Sequence, residues 1–239
     1  MDIKPQKDKI KISLSWSGGK DSAFALWHLL QSEEFEVLRL HTVFGEETKR
    51  VGLHGISEEL IGKQAELIGL PLDKLYYPAS GDNTAYENSI KGYLYNLEAL
   101  NISHIAYGDI FLEDLKKYRE EQLERNGFHA VFPLWGMDTE KLAEDFISKG
   151  FETLICAADT EKIDPYWLGK KFNSDFLNNL PKEVDPCGEN GEFHSFCING
   201  PIFIRPIQVN IGEKISKSYW IKKDDGEQIE KKFGFIEII

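Results

Sequence analysis

The stretch Ile10-Lys11-Ile12-Ser13-Leu14-Ser15-Trp16-Ser17-Gly18-Gly19-Lys20-Asp21-Ser22 decides how the rest of the chain is read. Its first seven residues alternate apolar and polar side chains, as a strand does, and run into a glycine pair. Beyond the pair, Ala23, Phe24, Leu26, Trp27, Leu29 and Leu30 recur at helical spacing. Two adjacent glycines let the backbone turn with its N–H groups converging on one point, an anion-binding nest. The helix behind them aims its positive end at the same point. Ser17 and Ser22 add hydroxyl donors and Lys20 a mobile positive charge, while Asp21 either caps the helix or helps to hold Mg²⁺. Ser15 and Ser17 to Ser22 are therefore the candidate nucleotide contacts. The G-x-x-x-x-G-K-[ST] spacing of a Walker A loop is absent, and so is the G-x-G-x-x-G of dinucleotide binders.

Working outward, the same alternation of elements continues. Phe35 to Phe44 reads as a second strand, and Ile56 to Ile68 as a helix stopped by Gly69 and Pro71. Leu72 to Tyr77 reads as a short strand, Tyr86 to Leu100 as a helix, and His104 to Tyr107 as a strand ending at Gly108-Asp109. Strands separated by helices imply right-handed βαβ crossovers and a mostly parallel sheet. The pattern then becomes less even, with a strand at His129 to Phe132, a helix near Glu140 to Ser148 and a strand at Thr153 to Ala157. Beyond Pro181 three short strands are expected, at Ile202 to Ile207, Ser218 to Lys222 and Phe233 to Glu237, with a turn at Asp224-Asp225-Gly226. The expected fold is α/β, with a Rossmann-like parallel sheet flanked by helices and a smaller C-terminal α+β lobe. Residues 1–130 form the ATP-binding domain in this reading and 131–239 the lobe that carries the acceptor loop.

Bulk properties narrow the class. With 239 residues, 41% hydrophobic and 28% charged, the composition is that of a globular protein. No apolar run approaches the roughly 20 residues of a spanning helix, and the polar start MDIKPQKDKI is unlike a signal peptide, so no membrane partner is expected and the location expected is cytoplasmic. The net charge of −12 points away from a protein that grips long nucleic acids through their phosphates. The three cysteines, Cys156, Cys187 and Cys197, include no C-x-x-C pair and read as small buried side chains.

Two further motifs carry chemistry. Cys187-Gly188-Glu189-Asn190-Gly191-Glu192-Phe193-His194-Ser195-Phe196 gathers two carboxylates, an amide, an imidazole and a hydroxyl around two glycines. A β-turn needs only Asn-Gly; the added groups suit metal binding, amine orientation or proton transfer near neutral pH. Gly108-Asp109-Ile110 closes a strand at its C-terminal end, where open α/β sheets bind ligands. In the helix after it, Glu113 and Glu120 read as a solvated face and Arg119 as a substrate-binding candidate.

The Ser17–Ser22 loop matches the S-G-G-x-D-S signature of the PP-loop ATP pyrophosphatases. Together with His54, Gly108-Asp109-Ile110, Arg119, Pro133-Leu134-Trp135, Leu168-Gly169-Lys170 and Cys187-Gly188-Glu189 through Ser195, it resembles the diphthine–ammonia ligase, or diphthamide synthase, family over nearly the whole chain. That resemblance implies an adenine-nucleotide alpha hydrolase, with AMP passing to a carboxylate and pyrophosphate leaving from the loop. It also implies ATP and Mg²⁺ as cofactors and an amide formed with ammonium. Eukaryotic and archaeal members amidate the diphthine carboxylate of translation elongation factor 2. Those members resemble E-G-G-E-[FY]-E-[ST] where this chain has Glu189-Asn190-Gly191-Glu192-Phe193-His194-Ser195. The Asn-Gly, His-Ser form is similar to a bacterial branch linked to cobalamin salvage, which keeps a corrinoid or other small acid open as the acceptor.

On this reading Lys20 and Asp21 serve the adenylation, with Gly18, Gly19 and Ser22 on the phosphates. Glu189 and Glu192 hold an ammonium, and His194 deprotonates it, an imidazole's ordinary pKa being about 6.5. Arg119, Asn190, Gly191 and Ser195 meet the acceptor. His54 either meets the adenylate or is a cap or packed side chain. Two rivals remain at this point, a tRNA-modifying enzyme and an ATP-binding sensor without turnover. The oligomeric state is open between monomer and homodimer.

Overall fold

A computed structural model describes residues 8–78, 83–222 and 228–239, with the side chains of 83–88, 219–222, 228 and 229 outside that description. In chain order the elements are β1 (Ile10–Ser15), α1 (Lys20–Gln31), β2 (Phe35–Gly45), α2 (Glu58–Ile68), β3 (Leu72–Tyr77), α3 (Asn83–Ala99), β4 (His104–Ala106), α4 (Glu113–Glu124) and β5 (His129–Val131). They are followed by α5 (Thr139–Ser148), β6 (Glu152–Asp159), a 3₁₀ turn at Pro165–Trp167, α6 (Ser174–Asn178), β7 (Phe193–Asn199), β8 (Ile211–Lys222) and β9 (Gln228–Ile238).

The first five strands form one parallel sheet in the order β3-β2-β1-β4-β5. The order reverses at β1, so the loops after β1 and β4 open side by side at the carboxyl edge, where such sheets bind ligands. The last four strands form a separate antiparallel sheet in the order β7-β6-β9-β8. This is the Rossmann-like sheet with a second, smaller lobe expected from the sequence.

Alternation along β1 sends its side chains to two cores. Ile12 and Leu14 join a large cluster that includes Phe24 and Leu26 of α1 and continues through Phe146 and Phe151 to Phe196 of the second sheet. On the other face Ser13 meets Tyr93 of α3, whose own cluster contains Leu97, Ile105 and Leu123. Since the larger core crosses from one sheet to the other, β7 is packed against the phosphate loop.

Two expectations about elements change. Ile202 to Ile207 is a chain of turns and bends, not a strand. Pro201 and Pro206 lack ladder donors, and Ile202, Phe203 and Ile207 are buried while Ile204 is 78% exposed, so the run is apolar because it packs as a loop. Conversely, the second half of the polar motif at Cys187–Phe196 is strand: β7 begins at Phe193. The expected turn Asp224-Asp225-Gly226 lies outside the described residues.

Candidate functional site

Local sequence makes the loop after β1. Gly18 has φ +80°, and a Cβ there would lie 2.5 Å from Ile61 Cδ1 and 2.6 Å from Gln64 Oε1. A Cβ on Gly19 would lie 3.0 Å from the Ser195 carbonyl oxygen and 3.1 Å from His54 Cε1. The pair is therefore glycine for two reasons, a left-handed turn and close approach by α2 and β7. Ser17 Oγ accepts from the Gly19 N–H (3.2 Å) and lies 3.2 Å from Ser22 Oγ, which donates to the Gly19 carbonyl (3.0 Å). The Lys20 N–H donates to Ser195 Oγ (3.1 Å). Gly108 lets the end of β4 press on this turn, since a Cβ there would sit 2.9 Å from the Asp21 carbonyl carbon.

These elements wall a cleft of about 280 Å³. Ser15, Ser17, Lys20, Asp21 and Ser22 line it from the first loop, with Gly18 and Gly19 packed behind them. Gly108, Asp109 and Arg119 line it from β4 and α4, beside Tyr107, Leu112 and Leu115. Glu189, Gly191, His194 and Ser195 come from the second lobe, with Gly188 and Phe193, and His54 completes it. Residues more than 130 positions apart in sequence thus share one cavity.

Charge in the cleft is organised in pairs. Lys20 Nζ donates to both Asp21 oxygens (2.7 and 2.8 Å). Burial opposes the ammonium charge, but Asp21, with smaller help from Cys187 and Glu189, outweighs it and holds Lys20 protonated. Arg119 grips Asp109 through Nε (2.9 Å) and Nη2 (3.1 Å), and its guanidinium stacks 4.0 Å from the Tyr107 ring centroid. Glu189 Oε1 accepts from the Ile110 N–H (2.7 Å). Burial pushes the Glu189 carboxyl up to about 7; Asp21 and Asp109 add to the rise, and the Ile110 bond and Lys20 oppose it.

The structure separates the motif at Glu189–Ser195 into two parts. Asn190 and Glu192, expected at the acceptor or the ammonium, do not line the cleft. Glu192 is 1% exposed, its Oε1 3.6 Å from Lys162 Nζ and 3.3 Å from Asn190 Nδ2. The chain reverses at Gly191 (φ +79°), which turns Glu192 into the second lobe as a brace for its own loop. His194 does line the cleft, but burial, His54 and Lys20 hold its pKa well below the ordinary value. An imidazole that weakly basic is a poor proton acceptor, which weighs against the expected role of deprotonating an ammonium. His54 is likewise lowered to about 4, first by burial and then by Lys20, against the pull of the Ser195 carbonyl. It packs against the loop and against His194, not as a helix cap: Ser57 caps α2.

Sequence reading missed Gln64. It is fully buried; Nε2 donates to the carbonyls of Gly18 (3.0 Å) and Cys197 (2.7 Å), and Oε1 accepts from Trp16 Nε1 (2.8 Å). The Cys197 N–H also donates to the Gly18 carbonyl (2.8 Å). The available signal was a glutamine among Leu60, Ile61, Ala65 and Leu67 on the buried face of α2. Among the described residues no group of three or more His, Cys, Asp or Glu side chains forms a ready-made metal cage, and no helix is long and apolar enough to cross a membrane. All three cysteines are buried and free.

A glycine-pair loop on the first strand of a parallel sheet, facing a second lobe across a cleft, defines the class of two-lobed α/β proteins of Rossmann-like fold. Within that class the chain belongs to the diphthamide synthase family: the family's N-terminal domain matches residues 10–130 and its C-terminal domain residues 138–233. Proteins named diphthine–ammonia ligase are similar to it. That of Schizosaccharomyces pombe is 27% identical over 220 residues, 84% of this chain and 36% of that protein. The Danio rerio protein is 26% identical, covering 84% of this chain and 87% of its own length, and the human one is 24% identical, covering 87% and 86%. The chain thus spans about a third of the yeast relative and most of the vertebrate ones. A solved U34-tRNA thiolase from Methanococcus maripaludis aligns at 17% identity and TM-score 0.37 over 60% of this chain and 59% of its own, too loosely to carry an argument.

Proposed function

We propose that this protein is an ATP-dependent ligase that adenylates a carboxylate, releases pyrophosphate and joins the acyl group to ammonia, the last step being in line with the name diphthine–ammonia ligase that its relatives carry. One observation carries the reading: the Ser17–Ser22 loop and the near-neutral Glu189 carboxyl line the same cleft in a chain that matches both domains of the family. The β- and γ-phosphates lie on the Ser17–Ser22 loop at the head of α1. Lys20 meets the charge that grows on the departing pyrophosphate. The acceptor carboxylate attacks the α-phosphorus to give an acyl-adenylate; ammonia then adds to the acyl carbon, AMP leaves, and Glu189 takes the proton released. The Asp109–Arg119 pair and Tyr107 form the opposite wall.

Mg²⁺ fits this donor set. The ion typically binds through one or two carboxylates plus substrate phosphates, and Asp21 supplies a carboxylate in the loop. Bound there, it would neutralise polyphosphate charge. The acceptor is a diphthine-type carboxylate or a corrinoid or other small acid, and the chain works in the cytoplasm. In this reading residues 1–130 bind the nucleotide, 131–239 bring the acceptor loop, and one copy holds a complete cleft. Neither rival is favoured: sulfur transfer to tRNA needs an accessible thiolate, whereas burial pushes Cys187 and Cys197 up to about 12, and a sensor has no use for a near-neutral carboxyl.

ATP–pyrophosphate exchange against diphthine-bearing protein and a panel of carboxylic acids, corrinoid acids included, tests the proposal. Exchange and AMP release are expected with one acceptor, falling by about 10² to 10³ in Lys20→Ala, the loss usual for one transition-state donor. ADP as the product, or unchanged exchange in that variant, would overturn it.

A further inference from the structure

His54 and His194 reach the cleft from different lobes, and their rings lie 4.6 Å apart at 39°. His54 Nδ1 is 3.4 Å from the Ser195 carbonyl oxygen. A carbonyl only accepts, so Nδ1 carries the hydrogen and Nε2 keeps its lone pair. His194 Nε2 is buried with no hydrogen-bond partner among the described residues, which is costly unless a ligand supplies one. The His54 ring sits beside Gly19 of the phosphate loop, a Cβ there lying 3.1 Å from His54 Cε1, and both rings line the cleft that the loop lines.

We infer that this imidazole pair is the amine subsite, and that it takes neutral ammonia, not ammonium. The inference rests on the ligase reading above and deepens it. Ammonia offers N–H donors to the His54 Nε2 lone pair, and to His194 Nε2 in its Nδ1–H tautomer, while its own lone pair stays free for the acyl carbon; ammonium has no lone pair to offer. The charged groups around the pair agree. From α1 the Lys20 ammonium acts on both rings and disfavours a second cation. Asp21 is paired with Lys20, Glu189 accepts from the Ile110 N–H, and Glu192 is turned away to Lys162. Ser195 contributes only its carbonyl. Among the described residues no carboxylate cage for a cation surrounds the rings.

The test reads the histidines directly and needs no acceptor. Protein carrying ¹⁵N-labelled histidine is titrated with ammonium chloride at pH 6.5 and at pH 8.5, with sodium chloride as the control. Free ammonia at equal total ammonium differs about a hundredfold between the two, tenfold per pH unit below the amine's pKa. The pH is fixed within each titration, and burial lowers both imidazoles below their ordinary pKa, so their own titration does not intrude. The His54 and His194 ring-nitrogen resonances are expected to move with ammonium chloride at pH 8.5, with about a hundredfold more total ammonium needed at pH 6.5. His54→Phe, which keeps a ring against His194, is expected to weaken the His194 response at least tenfold. Equal sensitivity to total ammonium at both pH values, no movement at either, or movement with sodium chloride alone would overturn the inference. Amine-free ATP–pyrophosphate exchange judges the ligase reading separately, so the two can fail independently.

Discussion

Burial lifts the Glu189 carboxyl to about 7, and this single residue gives the site its expected pH dependence. Proton acceptance requires the ionised form, so turnover is expected to rise with pH through 7. In Glu189→Gln that rise should vanish and the rate fall by about 10² to 10⁴, the usual contribution of a positioned base. The same shift predicts a stability effect. An unfolded glutamate loses its proton near 4.3 and the native one near 7, so between those values the folded chain holds more protons and stability declines as pH rises. Glu189→Gln should therefore gain in melting temperature relative to the parent at pH 8 but not at pH 4, as thermal scans at the two values would reveal; an equal difference at both would contradict the burial argument. The residues of the first loop were legible because a glycine pair between a strand and a helix has few other uses. Glu189 was legible as a residue type in a crowded motif. The placement of Glu192 away from the cleft and the burial that lowers the basicity of His194 were not legible, because composition says nothing of rotation about Gly191 or of burial.

Among the elements, strands β1 to β6 and helices α1 to α5 follow from periodicity and from apolar runs between turn signals, β6 being one such run buried on both faces. β7 was not legible, because Glu192, His194 and Ser195 interrupt any apolar alternation and their partners are loops far away in sequence. Ile202 to Ile207 misled for the opposite reason: the run is apolar enough for a strand but has prolines where ladder donors are needed. The contact between α2 and β7 falls to Gln64, which ties Trp16, Gly18 and Cys197 together. Gln64→Met keeps the bulk and removes the bonds. The Gly18 carbonyl retains its bond from the Cys197 N–H, whereas Trp16 Nε1 is stranded, so a loss of about 1–3 kcal/mol is expected. Urea unfolding measures this, and a raised KM for ATP in the same variant would show that the loop has loosened as well. A midpoint within error of the parent would mean that α2 does not hold the loop.

At the scale of the molecule, the two sheets share one hydrophobic core and one cleft. A fragment of residues 1–130 keeps Lys20, Asp21 and Asp109 but loses Ser195 from the Lys20 N–H, Cys197 from Gly18 and the wall bearing Glu189. Its affinity for a non-hydrolysable ATP analogue, measured by calorimetry, is expected to drop at least tenfold, about 1.4 kcal/mol; an affinity equal to that of the whole chain would assign nucleotide binding to the first lobe alone. The bond from the Lys20 N–H to Ser195 Oγ has a further effect. On the proposed reading, the strand that faces the amine and acceptor also bonds the backbone under the polyphosphate, so the two substrates bear on one contact. By reciprocity of linked equilibria, whatever factor ATP lends to the acceptor's grip, the acceptor returns to ATP.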